Sequence, residues 1–320
     1  AKKRFAEDKL RIMRAIRFST ILDFEIDEDI RYAIREDFIG TLTTESTHYI
    51  TETPLYYAID SKPVSTERIH DEFIKILLSP NRIKGINLLD DLEILNEILP
   101  EFIALKGVNQ DQIHHPEKDV FIHTIQALNS ITSTNPSIEL ILGILLHDIA
   151  KPLTRSFVSD KEIHFYKHEK IGADLSEVIL RRLKFSLSTI EKVKWLVENH
   201  MRIHKFEEMK KSKQVKLIEH DYFPDLLALA IADIVGSSGS KADFECIYMI
   251  DTFIKNYKIE KENRPILTQK LINGYDIITL GVSPKQGIKI GEILEKVNDA
   301  IIEGLINTKE EALIFAKGLI

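Results

Sequence analysis

The chain has 320 residues, 44% hydrophobic and 29% charged, with a formal net charge of −7. That balance suits a globular protein of two or more domains and argues weakly against a general nucleic-acid binder, since phosphate contact draws on Lys and Arg. One cysteine, Cys246, excludes an internal disulfide and a thiolate zinc cluster and fits a reducing, cytoplasmic setting. The longest apolar runs, near 138–146 and 226–235, have the pattern of core helices and not of a membrane span. AKKRFAEDK is too charged for a signal peptide, and the lack of an initiator methionine leads us to expect that the sequence begins partway through a longer protein.

In chain order, residues 1–37 read as a helical pair, with Asp27 and Asp29 near the start of its second helix. Lys2, Lys3, Arg4, Lys9, Arg11, Arg14 and Arg17 crowd its first seventeen residues against only Glu7 and Asp8. Residues 38–64 are rich in Thr, Ser and Pro and read as an irregular insertion. Residues 65–112 form a helical body carrying ERIHDEFIKILL and LLDDLEILNEIL. Residues 113–250 hold most of the histidines and a second basic stretch, Arg202 to Lys216. Residues 251–320, punctuated by Gly274, Gly281, Pro284, Gly287 and Gly291, read as a tail of short helices. Alternating strands are scarce, SFVSDKEIHFY being at best a short hairpin, so the expected fold is all-α.

His123, the pair His147-Asp148, His168, His200 and Asp233 are residues of metal-ligand type strung along the third segment. In LGILLHDIAKP an apolar run stops at two polar side chains, whose burial is costly unless something, such as a metal, satisfies both. A carboxylate such as Asp148 can bridge two cations while neutral imidazoles complete each shell; two such ions polarise a phosphoryl oxygen and acidify a bound water. Lys151, one helical turn beyond His147, is placed to stabilise phosphate charge. The series resembles the HD-domain superfamily of metal-dependent phosphohydrolases, with His168 and His200 matching the extra histidines of its two-metal members. The donor set suits manganese, nickel, iron, zinc or magnesium. His114, His115 and His204 lie close in sequence as spare donors, whereas His70, His164 and His220 read as ordinary hydrogen-bonded histidines.

RFAEDKLRIMRAIRFSTILDFEID resembles the region just after the catalytic domain of class II tRNA nucleotidyltransferases, the family of CCA-adding enzymes and bacterial poly(A) polymerases. EDKLR matches the family's E-D-x-x-R template motif. The resemblance implies that Asp8 and Arg11, at i and i+3 on one helical face, hydrogen-bond the base edge of CTP or ATP, with Arg14 beside them. STERIHDEFIKIL resembles the next family motif, centred on Glu67, Arg68 and Glu72, which braces the nucleotide-binding helices. LNEILPEF and the 271–294 segment match the body and tail where tRNA is held, and members of the family often carry an HD domain in this position. The family's catalytic head, with a Gly-Ser turn and a magnesium-binding carboxylate pair, has no match in the sequence; Asp27-Glu28-Asp29 lacks the preceding Gly-Ser.

The leading expectation is therefore the neck, body, HD and tail portion of a CCA-adding-type enzyme. It would take CTP and ATP with magnesium when joined to a head, supplied by upstream sequence or by a separate chain, and bind tRNA with no membrane partner. The alternatives are a stand-alone HD phosphohydrolase acting on 2′,3′-cyclic phosphates or phosphomonoesters, and a non-catalytic tRNA-binding protein.

Overall fold

The computed structural model describes residues 1–44, 46–52, 55–110, 119–159, 162–238 and 243–320. In chain order its helices and strands are α1 (Lys2–Glu7), α2 (Leu10–Leu22), α3 (Glu28–Ala33), β1 (Ser46–Glu52), β2 (Leu55–Ser61), α4 (Thr66–Leu78), α5 (Arg82–Asp91), α6 (Ile94–Ile98), α7 (Pro100–Ile103), α8 (Val120–Asn129), α9 (Ile138–Leu146), α10 (Lys151–Thr154), β3 (Arg155–Ser159), β4 (Glu162–Phe165), α11 (His168–Arg182), α12 (Leu187–His204), α13 (Lys211–Ile218), α14 (Phe223–Ser238), α15 (Glu245–Asn263), α16 (Gly274–Thr279), α17 (Gly287–Ile302) and α18 (Lys309–Lys317). A π-helical turn, Ile34–Phe38, follows α3. The fold is all-α as expected, with two antiparallel hairpins added.

One hairpin corrects the reading of residues 38–64 as irregular: β1 pairs with β2 from Ser46↔Ser61 to Glu52↔Leu55. The β-branched and aromatic content of THYITETPLYYAI favours that outcome. The other, β3 with β4, falls on SFVSDKEIHFY.

The chain divides into two compact units, residues 1–201 with 225–243, and residues 202–224 with 244–320. This partition cuts across the 113–250 segment proposed from sequence. In the first unit α2 packs on α4 and α5, α4 reaches α9, and α5 reaches α8. Ile12, Met13 and Ile16 of α2 meet a core that includes Phe73, Ile76 and Leu77 of α4, all essentially inaccessible. Burial of each such side chain stabilises by about 1.5–3 kcal/mol. In the second unit α17 is flanked by α13, α16 and α18 over a core that includes Ile277, Val297 and Ala312. Two side-chain boxes start its short helices: Asn273 with Asp276 at α16, and Thr308 with Glu311 at α18. No helix among the described residues is long and apolar enough to cross a membrane.

Candidate functional site

All six metal-type residues singled out from sequence lie in the first unit and converge. They form two triads: His123, His147 and Asp233, and Asp148, His168 and His200, the ligand atoms of each lying within 4.8 Å of one another. Local structure explains the placement. Asp119 starts α8 by accepting from the Ile122 amide, and Ser137 starts α9 by accepting from Leu140. Residues Leu140–Leu146 of α9 are buried throughout, which forces His147 and Asp148, just beyond the helix, into the interior.

Three histidines are oriented by one device. The Nδ1–H of His147, His168 and His200 donates to the carbonyl three residues earlier, Ile144, Phe165 and Val197, at 2.8, 2.8 and 2.7 Å. A carbonyl can only accept, so each ring is protonated at Nδ1 and its Nε2 lone pair faces the site. Two close approaches hold the helices in register. An added Cβ on Gly236 would lie 2.9 Å from both Cβ and N of Ala127, so α14 sits tight on α8 one turn from both Asp233 and His123. A Cβ on Gly172 would meet Val197 at 3.3 Å and the His147 carbonyl at 3.7 Å, one turn from His168 and His200.

The spacing suits shared cations. His123 and His147 Nε2 atoms are 3.3 Å apart, and those of His168 and His200 are 3.1 Å apart. Two nitrogens each about 2.1 Å from one ion, at roughly 90–110°, stand about 3.0–3.4 Å apart. Asp233 Oδ1 completes the first group at 3.0 Å from His123. Asp148 turns Oδ2 to His147 at 3.1 Å and Oδ1 to His168 at 3.4 Å, one oxygen toward each triad. Electrostatics agree. Burial drives His200 down to about 3 and lowers His168 despite the nearby Asp148 carboxylate, so both are neutral donors at physiological pH. Two neutral imidazoles facing each other through lone pairs repel unless a cation lies between them. Burial would raise Asp148, but the His147 ring and the Lys151 ammonium beside it hold its carboxyl well below the usual carboxylate range. The donor set fits a pair of divalent ions with a bridging carboxylate.

Lys151 is itself buried, with Nζ 2.7 Å from Asp148 Oδ2 and hydrogen-bonded to Gln110 Oε1. Gln110 carries no signal in a sequence read alone. Of the spare histidines, His204 is exposed and outside both triads, and His114 and His115 lie outside the described residues. His70 donates through Nδ1–H to the Leu183 carbonyl at 2.9 Å and is the hydrogen-bonded residue expected.

The neck departs from its expected geometry. Asp8 and Arg11 do not share a helical face: α1 stops at Glu7, and Asp8 is extended (φ −155°, ψ 103°) before α2 begins at Leu10. Asp8 Oδ1 accepts from the Leu10 amide at 3.1 Å, local competition that breaks the helix, and Oδ2 accepts from Arg68 at 2.9 Å. Arg11 donates to the Arg4 carbonyl and to Glu7 at 2.7 and 2.8 Å, and Arg14 is exposed on α2. The second motif does brace the neck, through Arg68 to Asp8 and through an Arg17–Glu72 ion pair with side chains 16% and 10% exposed. Glu67 takes no part and lies 4.0 Å from Lys184. Sequence reasoning also missed Lys9, a buried cation donating to the Thr41 and Thr44 carbonyls at 2.6 and 2.5 Å.

Comparison with known proteins adds to this geometry. Residues 62–105 match the family described as the probable RNA and SrmB-binding site of polymerase A, and residues 120–235 match the HD domain. The A-adding tRNA nucleotidyltransferase of Deinococcus radiodurans is 29% identical over 321 residues, covering 97% of this chain and 68% of that protein. The CC-adding tRNA nucleotidyltransferase of Thermus thermophilus is 29% identical over 316 residues, covering 97% and 66%. A solved CCA-adding enzyme with CTP shares the fold at a TM-score of 0.50 and 17% identity, over 98% of this chain and 60% of that one. The chain thus spans about two thirds of these relatives or somewhat less.

Proposed function

We propose, from the homology of this chain with the CCA-adding tRNA nucleotidyltransferases and from its polymerase A-type RNA-binding and HD domains, that it is the nucleotide-selecting and tRNA-holding portion of such an enzyme. Nucleotide addition then requires a catalytic head with its own magnesium-binding carboxylates, on the same polypeptide or on a separate chain. The observation that carries the reading is the bracing of the template motif. Arg68 holds Asp8, which would meet CTP or ATP, and Glu72 holds Arg17 on the same neck, so the body braces the segment that carries the motif. Asp8 retains lone pairs beyond the two in use, and Arg11 retains donors beyond Nη1, so each has capacity left for a base edge. A site that pairs both groups with the right base leaves them unsatisfied with the wrong one. The test is fluorescence anisotropy with a tRNA lacking its 3′ end, competed by duplex DNA across a salt series. The reading expects preference for tRNA and affinity that falls linearly with log salt; equal competition by the two nucleic acids refutes it.

The HD geometry favours a second activity, metal-dependent hydrolysis of a 2′,3′-cyclic phosphate or phosphomonoester. Its carrying observation is Asp148, with one oxygen toward each triad. His123, His147, Asp148 and Asp233 would hold one ion, and Asp148, His168 and His200 the other. The bound ions would supply Lewis acidity and a water of lowered pKa. The chain's own part is to hold neutral imidazoles in one tautomer, exclude bulk water by burial, and place Lys151 where phosphate charge would sit. Turnover of a 2′,3′-cyclic nucleotide with divalent metal, abolished in Asp148→Ala, supports this activity; turnover unchanged in that variant refutes it.

A further inference from the structure

Gln110 is 3% exposed, and Lys151 donates to its Oε1. An ammonium has donors only, so the amide orientation is fixed: the oxygen faces Lys151 and the NH2 group points away from it. That NH2 group has no hydrogen-bond partner among the described residues. A buried amide left in this state is costly unless something outside the protein completes it. Its position is the second part of the argument. Lys151 Nζ touches Gln110 on one side and Asp148 Oδ2, at 2.7 Å, on the other, so a single ammonium separates the amide from the bridging carboxylate. The choice of amide also matters. A carboxylate here would be the second against Lys151, after Asp148, whereas a neutral oxygen orients the cation without further offsetting its charge.

We infer that Gln110 and Lys151 together form an oxyanion pocket beside the two triads, with Gln110 Nε2–H donating to a non-bridging oxygen of a tetrahedral phosphoryl group. The inference rests on the reading of the HD site as a metal phosphohydrolase and adds to it a substrate-contacting residue. The ligand chemistry is that of a phosphate ester or inorganic phosphate. The two donors of the NH2 group and the lysine cation suit two oxygens of one phosphoryl centre better than a planar carboxylate beside a metal pair.

The experiment uses the whole chain loaded with Mn²⁺ and inorganic phosphate as probe, read by manganese-induced relaxation of the phosphate ³¹P signal. Mn²⁺ affinity is measured separately. The variants are Gln110→Met, Lys151→Met and the double substitution, with Gln110→Leu as a second, uncharged donor-free variant should Gln110→Met not fold. Gln110→Met is expected to weaken phosphate about tenfold with Mn²⁺ affinity within about twofold of wild type. It should weaken phosphate further in the Lys151→Met background, because the amide makes its own contact. If Gln110→Met has no effect once Lys151 is gone, Gln110 merely positions the lysine and the pocket is refuted. Equal phosphate binding by wild type and all variants also refutes it. Failure of the wild type itself to bind Mn²⁺ and phosphate would instead overturn the underlying reading of the site.

Discussion

Gly236→Ala puts the architecture of the first triad to a quantitative test. The new methyl would stand 2.9 Å from Cβ and N of Ala127 and 3.0 Å from its Cα. The obstacle is largely backbone and cannot swing aside, and carbon contacts settle at about 3.5–4.0 Å, so α14 must retreat from α8 by about 0.6–1 Å. Overpacking of this kind costs about 1–3 kcal/mol. Improved helix propensity returns about 1 kcal/mol, so the net loss of stability is modest, about 0–2 kcal/mol. A metal held by the triad would have less tolerance. His123 and Asp233, 3.0 Å apart, lie one turn from the contact, and ligand positions must hold to about 0.5 Å. Isothermal titration with Mn²⁺ should show a loss of tenfold or more at one of two sites, the other being little changed, in line with effects of about 10–100-fold from displaced supporting groups. Gly291→Ala is the contrast: in α17, with nothing within 4 Å of the added methyl, it should raise the stability of its own unfolding transition by about 0.5–1 kcal/mol. Wild-type metal affinity in Gly236→Ala would refute the claim that the α8–α14 approach sets the triad.

Other consequences can be checked independently. Arg17→Ala leaves the largely buried Glu72 with the longer contact to Lys75 at 3.8 Å and should cost about 3 kcal/mol in urea unfolding, most of it recovered in Arg17→Met with Glu72→Leu. Lys9→Met removes a buried cation from the Thr41 and Thr44 carbonyls and should cost about 2 kcal/mol, read the same way. The metal-free chain should lose stability on acidification. His200 binds a proton when unfolded from its ordinary value near 6.5 downward, but when folded only near 3, so stability falls with pH across that window. From pH 6.5 to 5 that loss is at most about 2 kcal/mol for this group. His168, lowered in the same direction, adds to it, and Asp148 extends the decline below the normal carboxylate range. A flat urea-midpoint profile between pH 7 and 5 in chelator would contradict the assignment of neutral buried imidazoles.

Legibility in the sequence followed the range of the forces involved. The six residues of metal-ligand type were readable as a set because imidazole and carboxylate at the end of an apolar helix are expensive without a partner, and the structure gathers them into two groups. The hairpin of β3 and β4 falls on SFVSDKEIHFY, the one stretch read as a short hairpin at best, whereas β1 and β2 were obscured by the Thr, Ser and Pro that surround their β-formers. EDKLR misled at the level of geometry. Its helical period is sound, but Asp8 competes for the Leu10 amide and is drawn to Arg68, sixty residues away, and no local pattern announces that pull. Gln110 was invisible for the same reason, since its meaning lies in Lys151, forty-one positions on.

The most direct test of the central claim joins this chain to a nucleotidyltransferase head and follows CTP and ATP incorporation into a tRNA lacking its 3′ end. Wild type is compared with Asp8→Ala and Arg11→Ala, and the products are sequenced. The account predicts incorporation that depends on this chain, with base choice degraded in both variants. Incorporation of the same nucleotides at the same rates in all three would contradict it.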